Sequence, residues 1–184
     1  MQDEAQLVQQ ARHDPTAFGQ LYDRYVDRIY AYVQRETGDT AVAQDIVSAT
    51  FEKALQNLPR YEWRGVSFGA WLYKIARNEI RMQYRRQKWF APLQDRFFSD
   101  AHVERAVQQQ EEQDAVRQAL KRLSARDQEI LRLHFFEELS HAEISIVVNC
   151  STRNVAVRLH RALKRLRRKL ADSAPEVMCD VTSG

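Results

Sequence analysis

The chain has 184 residues, of which 44% are hydrophobic and 29% charged, and its net charge is +3 at pH 7. These values are typical of a globular protein with one domain or two small ones. No stretch approaches the ~20 apolar residues of a membrane span, and the N-terminus lacks a basic and then apolar leader. We therefore expect a cytoplasmic protein without a membrane partner. Few glycines and prolines, and long runs of helix-forming residues, predict an all-α fold.

Three helices are predicted in the N-terminal half, because each segment carries an apolar stripe at helical spacing. They run from about Pro15 to Gln34, from about Thr40 to Asn57 and from about Phe68 to Arg86. The second is expected to bury an apolar face: Val42, Ile46, Val47, Thr50, Phe51, Ala54 and Leu55. The third is expected to expose a mostly basic side: Lys74, Arg77, Asn78, Arg81, Arg85 and Arg86. An aromatic segment at residues 60–67 joins these two helices.

The helical pattern breaks after Arg86. Residues 87–114 carry 3 basic and 6 acidic side chains, and their aromatic residues have no clear period. This composition predicts a flexible acidic linker at 87–112, although the aromatic residues could instead dock on a domain. The linker divides the chain into two small helical domains, 1–86 and 113–170, followed by a polar tail at 171–184. A short helix over about 111–122 and another over about 128–137 are predicted to open the second domain.

A helix-turn-helix is predicted near the C-terminus. Ser140 is a candidate N-cap, and Glu143 three residues later completes a capping box. Asn149 interrupts the following apolar stripe and tolerates the left-handed backbone of a tight turn. Ser151 or Thr152 can cap the second helix. The inward residues of that helix are apolar: Val155, Leu159, Leu163 and Leu166. Its outward residues are polar and mostly basic: Arg153, Asn154, Arg158, Arg161, Lys164 and Arg165.

The basic face of this second helix indicates DNA binding. A short helix fits the major groove, where Arg and Asn can hydrogen-bond base edges and phosphates. An ordinary αα corner with a solvated face is the alternative. Residues 115–170 carry 13 Lys and Arg against 5 Asp and Glu, and this concentration of positive charge favours the nucleic-acid interpretation.

No catalytic or metal site is predicted. The sequence contains no glycine-rich phosphate loop and no Ser/His/Asp spacing, and its five histidines are scattered. Cys150, Cys179 and His141 lack the spacing of a metal site. We therefore expect a protein that is not an enzyme and that needs no cofactor or metal.

Three motifs in order resemble a known family. Residues 45–54, DIVSATFEKA, resemble region 2.2 of the extracytoplasmic-function (group IV) sigma factors of bacterial RNA polymerase. Residues 68–78, FGAWLYKIARN, are similar to the junction of regions 2.3 and 2.4, and residues 123–131, LSARDQEIL, with the helix-turn-helix resemble region 4. The resemblance covers about residues 17–170. It implies a sigma factor that directs promoter recognition, −10 melting and transcription initiation.

The resemblance implies roles for particular residues. The following would contact the −35 element: Thr152, Arg153, Asn154, Arg158, His160 and Arg161. The following would bind and open the −10 element: Tyr61, Trp63, Arg64, Arg77, Asn78 and Arg81. The following would bind the clamp coiled coil of core RNA polymerase: Asp45, Ser48, Phe51 and Glu52. An apolar groove would meet the polymerase β-flap: Leu131, Leu133, Phe135 and Phe136. Arg153-Asn154 stands where the family has Gly-Thr, so a different promoter preference is expected.

The resemblance also implies partners and alternatives. The partners are core RNA polymerase, promoter DNA and an anti-sigma factor, and the protein would join the nucleoid when bound to polymerase. One rival is a helix-turn-helix regulator that is not part of polymerase. A second is a sigma-like mimic that binds an anti-sigma factor and never DNA.

Overall fold

The computed structural model describes residues 2–90, 116 and 118–171, and all regular structure within these ranges is helical. The all-α prediction is therefore confirmed. The N-terminal bundle (residues 2–90) consists of α1 (Gln2–Ala11), α2 (Pro15–Thr37), α3 (Thr40–Asn57) and α4 (Phe68–Phe90), with a 3-10 turn at Leu58–Arg60. The C-terminal unit (residues 118–171) begins with helical residues 118–121 and continues through α5 (Ala125–Phe135), α6 (His141–Val148) and α7 (Thr152–Ala171).

The helix boundaries of the N-terminal bundle follow local capping signals. The Asp14 carboxylate accepts a hydrogen bond from Thr16 N at 2.8 Å and starts α2, and Gly38 ends that helix with a left-handed φ of 66°. Asp39 caps α3 by accepting hydrogen bonds from two backbone amides at 2.9 and 3.1 Å. Each cap satisfies backbone N–H groups that have no partner within the helix.

The extents of the first and last helices of the bundle differ from the sequence predictions. Helix α1 was not predicted, yet Leu7, Val8 and Ala11 are buried against the bundle and Glu4 accepts a hydrogen bond from the Tyr25 hydroxyl. Helix α4 runs four residues beyond its predicted end at Arg86. The remainder of the predicted linker, from residue 91 to 112, lies outside the described residues, as does the tail from residue 172.

The bundle closes around apolar side chains from α2, α3 and α4. Leu21, Ile29, Phe68 and Leu72 are completely buried. Leu55 was predicted to be buried but is 49% exposed, because the inward face of α3 is narrower than its apolar pattern suggested. The closed core fixes α3 and α4 side by side, with the aromatic segment between them.

The bundle and the C-terminal unit pack against each other through apolar side chains of one shared core and through charged and polar pairs. The buried Glu137 carboxylate accepts a hydrogen bond from the Tyr73 hydroxyl at 2.9 Å and pairs with Arg35 at 2.5 Å. Glu36 of α2 pairs with Arg132 of α5 at 2.6 Å. Burial raises the pKa of Glu36, although the charge of Arg132 opposes that rise. The ion pairs Arg35–Glu137 and Glu36–Arg132 therefore join residues that lie about 100 positions apart in sequence.

Candidate nucleic-acid interface

The predicted helix-turn-helix is confirmed in detail. Ser140 accepts a hydrogen bond from Glu143 N at 3.3 Å, and the Glu143 carboxylate accepts one from Ser140 N at 2.8 Å, which completes the capping box. Asn149 has φ 55° and ψ 57°, the left-handed conformation expected at the turn. Ser151 caps α7 through its hydroxyl, which accepts a hydrogen bond from Asn154 N at 3.3 Å. The turn fixes the direction in which α7 leaves α6.

The exposed face of α7 is polar and basic. Val155, Leu159 and Ala162 are buried against α5 and α6, which leaves the opposite side of the helix in solvent. All six residues predicted to contact the −35 element are exposed: Thr152, Arg153, Asn154, Arg158, His160 and Arg161. Val157 is 41% exposed amid the same residues and was missed from the sequence. Val157 lies three residues after Asn154 and four before Arg161. Because residues at this spacing share a helix face, the sequence could have predicted Val157 on the exposed face of α7.

A second candidate surface is a cleft in the N-terminal bundle between α3, the aromatic segment and α4. Its volume is about 430 Å³, and it is lined by basic, aromatic and amide side chains together with apolar ones and the acidic Glu62 and Glu79, of which Glu79 pairs with Lys53 at 2.6 Å. Among them are Lys53, Tyr61, Arg64, Trp71, Lys74 and Asn78. An open cleft that combines cationic groups with aromatic rings suits a nucleic-acid strand, because cations attract phosphates and rings stack on bases.

Aromatic packing holds one wall of this cleft. The Tyr61 ring lies 4.6 Å from the Trp71 ring and 5.4 Å from the Phe68 ring, measured between centroids. Burial, reinforced by the charge of Glu4, raises the pKa of Tyr61 to about 12, so its hydroxyl stays protonated at neutral pH. Trp63 is half-buried against the core. The Tyr61 and Trp71 rings therefore serve both the packing of the bundle and the shape of the cleft, whereas Trp63 packs on the core next to Glu62 and Arg64 of the cleft lining.

The polar residues predicted for the −10 element fall into two groups. Arg64, Asn78 and Arg81 are exposed, as expected. Arg77 was expected on the exposed side of its helix but is only 8% exposed, and that expectation is wrong. Burial alone would lower the pKa of Arg77, but hydrogen bonds to Glu129 and the charge of that carboxylate raise it, so the guanidinium remains charged.

Glu129 of α5 accounts for the position of Arg77. Its Oε1 lies 2.5 Å from Arg77 Nε and its Oε2 lies 2.9 Å from Arg77 Nη2, a two-point contact. Arg81 Nη2 lies 3.5 Å from the same Oε2. This pairing across 52 residues has no signature in the sequence, and the sequence analysis missed Glu129.

The residues predicted to bind the polymerase clamp lie on α3. Asp45, Ser48 and Glu52 are exposed and share one face of the helix. Phe51 is 4% exposed and packs with its ring centroid 4.6 Å from that of Tyr22, so its placement in a contact surface is wrong. It faces inward because it continues the apolar stripe of its helix.

Of the four residues predicted to form the β-flap groove, two are buried and two are exposed. Leu131 and Leu133 are 3% and 0% exposed and belong to the core, whereas Phe135 and Phe136 are 57% and 60% exposed. The two phenylalanines at the end of α5 are therefore the accessible apolar groups of this set.

The described residues contain neither a membrane-spanning helix nor a group of metal ligands. None of the helices in these ranges is both long and apolar enough to cross a bilayer. Within the same ranges, no three His, Cys, Asp or Glu residues are grouped so that they could hold a metal ion.

An all-helical protein with a basic helix-turn-helix face and a basic, aromatic cleft belongs among DNA-binding transcription proteins, and comparison with known proteins identifies the family. Sigma-70 region 2 matches residues 21–90, and Sigma-70, region 4 matches residues 113–166. The chain belongs to the ECF sigma factors of RNA polymerase.

Individual relatives agree with this assignment. The chain is 33% identical over 175 residues to the ECF RNA polymerase sigma factor BldN of Streptomyces coelicolor. That match covers 92% of this chain and 66% of BldN. It is 30% identical over 164 residues to RNA polymerase sigma factor YlaC of Bacillus subtilis. This second match covers 85% of this chain and 93% of YlaC. In fold, it resembles the sigma factor RpoE of Bartonella quintana, solved in complex with the anti-sigma factor NepR. That similarity has a TM-score of 0.60 at 22% identity and covers 85% of this chain and 98% of the RpoE chain.

Proposed function

We propose that this ECF sigma factor works through three separate surfaces. The exposed face of α7 binds the −35 element, the cleft of the N-terminal bundle binds the −10 element, and the exposed edge of α3 binds core RNA polymerase. The observation that carries the proposal is the presence of a basic helix-turn-helix face and a basic, aromatic cleft on the two segments that match sigma regions 4 and 2.

The −35 element is read by the N-terminal half of α7. Arg153, Arg158 and Arg161 are exposed and can donate bidentate hydrogen bonds to guanine or single bonds to phosphate. Asn154 has the amide geometry that suits adenine. Val157 adds an apolar group between them, which suits the methyl group of thymine.

Transcription in vitro with purified core polymerase and a promoter library tests this role. Arg158→Ala or Arg161→Ala should cost ~1–3 kcal/mol of binding where the arginine reads a base, or lower the salt slope by ~1 where it binds phosphate. Arg168→Ala serves as a matched control, because Arg168 is exposed on the same helix but lies in its last turn. Unchanged transcription from the preferred promoter in both test variants would refute the assignment.

The −10 element is opened at the cleft. Flipping a base out of the duplex costs a few kcal/mol, and stacking on an aromatic ring returns ~1–3 kcal/mol per base. Trp63→Ala and Asn78→Ala should leave closed complexes nearly intact and lower the permanganate reactivity of thymines near the −10 element. Loss of duplex binding in proportion to transcription would instead assign these residues to duplex recognition.

Core polymerase binds the exposed edge of α3. Leu55 extends the face of Asp45, Ser48 and Glu52 by about one turn and supplies an exposed apolar contact. Asp45→Arg should sharply weaken capture of core enzyme, because it reverses the charge at the N-terminal end of this edge. Asp3→Arg is the control, since it makes the same charge change on α1. Equal capture by the folded Asp45→Arg protein and the wild type would reject this surface.

We also infer the wider setting of this activity. The fold relative RpoE of Bartonella quintana was solved with an anti-sigma factor, and we expect a partner of that kind for this chain. The protein acts by binding, catalyses no reaction itself and requires no cofactor. It works in the cytoplasm and joins the nucleoid when it is bound to polymerase.

A further inference from the structure

Arg12, in the turn between α1 and α2, reaches the backbone of the aromatic segment. Its Nη2 donates a hydrogen bond to the Tyr61 carbonyl, although the two residues lie 49 positions apart in sequence. Tyr61 follows the 3-10 turn directly, and its own amide donates to the Leu58 carbonyl at 3.1 Å. Both backbone groups of Tyr61 are therefore held at the point where the chain leaves the 3-10 turn.

The aromatic segment lacks regular secondary structure beyond this point. Residues 61–67 form no helix or strand, and Gly65 has a left-handed φ of 72°. Their conformation therefore depends on contacts with other parts of the bundle. Trp63 and Arg64, which are proposed to bind the −10 element, follow Tyr61 by two and three positions. A bond that fixes the Tyr61 carbonyl thus limits where these two side chains can lie.

The turn that carries Arg12 is itself firmly placed. The Asp14 amide donates to the Gln10 carbonyl at 3.0 Å, and the Asp14 side chain caps α2. Helix α1 is anchored as well, because the buried Glu4 carboxylate accepts a hydrogen bond from the buried Tyr25 hydroxyl. The core of the bundle therefore sets the position from which Arg12 extends.

The Arg12 guanidinium also contains a buried nitrogen that is not satisfied. Arg12 Nε is buried and has no hydrogen-bond partner within the described part of the chain. A buried N–H without a partner costs free energy, so stability alone does not explain the placement of this side chain. Departures of this kind from good local packing are characteristic of functional sites.

We propose that Arg12 is a positioning residue for promoter opening. Through the Tyr61 carbonyl it holds the aromatic segment in the conformation that presents Trp63 and Arg64 to the unpaired −10 strand. This proposal rests on the proposed role of the segment and the cleft in opening the −10 element. Because the segment is ordered before DNA arrives, binding of the strand loses less conformational entropy. Arg12 acts through the protein backbone and does not itself touch DNA.

The test compares Arg12→Ala, Arg12→Lys and Arg24→Ala. The first removes the bond to Tyr61, and the second keeps the positive charge and an N–H donor on a side chain of similar length. Arg24→Ala is the control, because it removes the same charge from an exposed position of α2. Hydrogen exchange of the full-length chain measures the local mobility of residues 61–67. Holoenzyme assays measure the closed-complex affinity at several salt concentrations and, with permanganate, the rate of promoter opening.

Arg12→Ala should speed hydrogen exchange within residues 61–67 and leave the buried amides of α2 and α4 unchanged. It should slow promoter opening about tenfold, the effect of losing one hydrogen bond from a charged donor, because Trp63 and Arg64 are then less well placed. The closed-complex affinity and its salt dependence should stay the same, since Arg12 binds no phosphate. Arg12→Lys should recover most of the opening rate, and Arg24→Ala should match the wild type throughout.

Several results would overturn the proposal. Exchange that is unchanged in residues 61–67, or that rises equally across the bundle, would show that Arg12 does not order this segment specifically. A salt slope that falls by about 1 in Arg12→Ala and is restored in Arg12→Lys would assign Arg12 to a direct phosphate contact. Faster exchange with an unchanged opening rate would show that opening does not need an ordered segment. Circular dichroism establishes that each variant is folded, and Arg12→Gln, with its shorter side chain, replaces Arg12→Ala if alanine unfolds the bundle.

A parallel measurement distinguishes failure of this proposal from failure of the proposed function. Trp63→Ala changes the aromatic segment itself, and Asn78→Ala changes the cleft beside it. Slow opening by these two variants together with normal opening by Arg12→Ala refutes only the role of Arg12. Normal opening by both Trp63→Ala and Asn78→Ala removes the segment and the cleft from −10 opening, and the proposed role of Arg12 then falls with them.

Discussion

The hydrogen bond between Tyr73 and Glu137 should make a measurable contribution to the docking of the two halves. Both side chains are buried, at 1% and 4% exposure, and the phenol donates to the carboxylate across 2.9 Å. Burial, together with the charge and hydrogen bond of Glu137, raises the pKa of Tyr73, so the phenol remains a donor throughout the neutral range. Tyr73→Phe removes the donor and keeps the ring, which packs 5.1 Å from that of Tyr32.

The expected loss follows from the environment of the bond. A hydrogen bond to a charged group contributes ~1.5–3 kcal/mol, so Tyr73→Phe should lower the free energy of unfolding by about 2 kcal/mol. Glu137→Ala should lose somewhat more, because it leaves the buried phenol without an acceptor. The Arg35 side chain is 41% exposed, and solvent screening limits its pair with Glu137 to about 1 kcal/mol or less. The double mutant should therefore reveal a coupling of roughly 1–2 kcal/mol between Tyr73 and Glu137.

Urea unfolding with two probes provides the assay. All three tryptophans precede residue 90, so their fluorescence reports the N-terminal bundle, whereas far-UV circular dichroism reports both halves. With a slope near ~2 kcal/mol/M, a loss of about 2 kcal/mol shifts the midpoint by about 1 M. Tyr22→Phe is the control, because Tyr22 is 41% exposed, and it should change stability by less than ~0.5 kcal/mol. An unchanged midpoint in Tyr73→Phe, or a coupling of zero, would show that the two groups do not meet in solution.

Two further predictions concern packing and pH. A Cβ at Gly69 would lie 2.5 Å from Tyr25 Cε1, so Gly69→Ala should cost ~1–3 kcal/mol in thermal unfolding. The control Gly19→Ala meets nothing within 4 Å in α2 and should instead gain up to ~1 kcal/mol; equal effects at both sites would contradict this packing. Burial by itself raises the pKa of Glu143, but hydrogen bonds from Ser67 and Ser140 outweigh it and lower that pKa. The stabilisation by ionised Glu143 is therefore complete above the unfolded-state pKa of ~4.3 and is lost as the pH falls through the folded-state pKa. The difference in melting temperature between wild type and Glu143→Gln should accordingly shrink from pH 7 to pH 3, and a constant difference would exclude this contribution.

Local signals in the sequence were sufficient to predict most of the helices and the turn before α7. The Ser140–Glu143 capping box and the left-handed Asn149 both depend on residues within a few positions of each other. Helix α1 was overlooked although Leu7, Val8 and Ala11 have helical spacing, because ten residues give a short pattern. The same short-range reasoning predicted that Leu55 is buried with the other apolar residues of α3. The neighbouring helices do not cover Leu55, so its side chain is exposed.

The sequence by itself determined which side of α7 is basic, since helical periodicity alone separates Arg158 and Arg161 from Val155 and Leu159. Only the tertiary structure decided that Arg77 is buried and paired with Glu129. Periodicity places a side chain on one face of its own helix but carries no information about which distant segment covers that face. Such long-range pairs depend on how whole helices pack, and they determine which of the candidate DNA-binding residues are free to act.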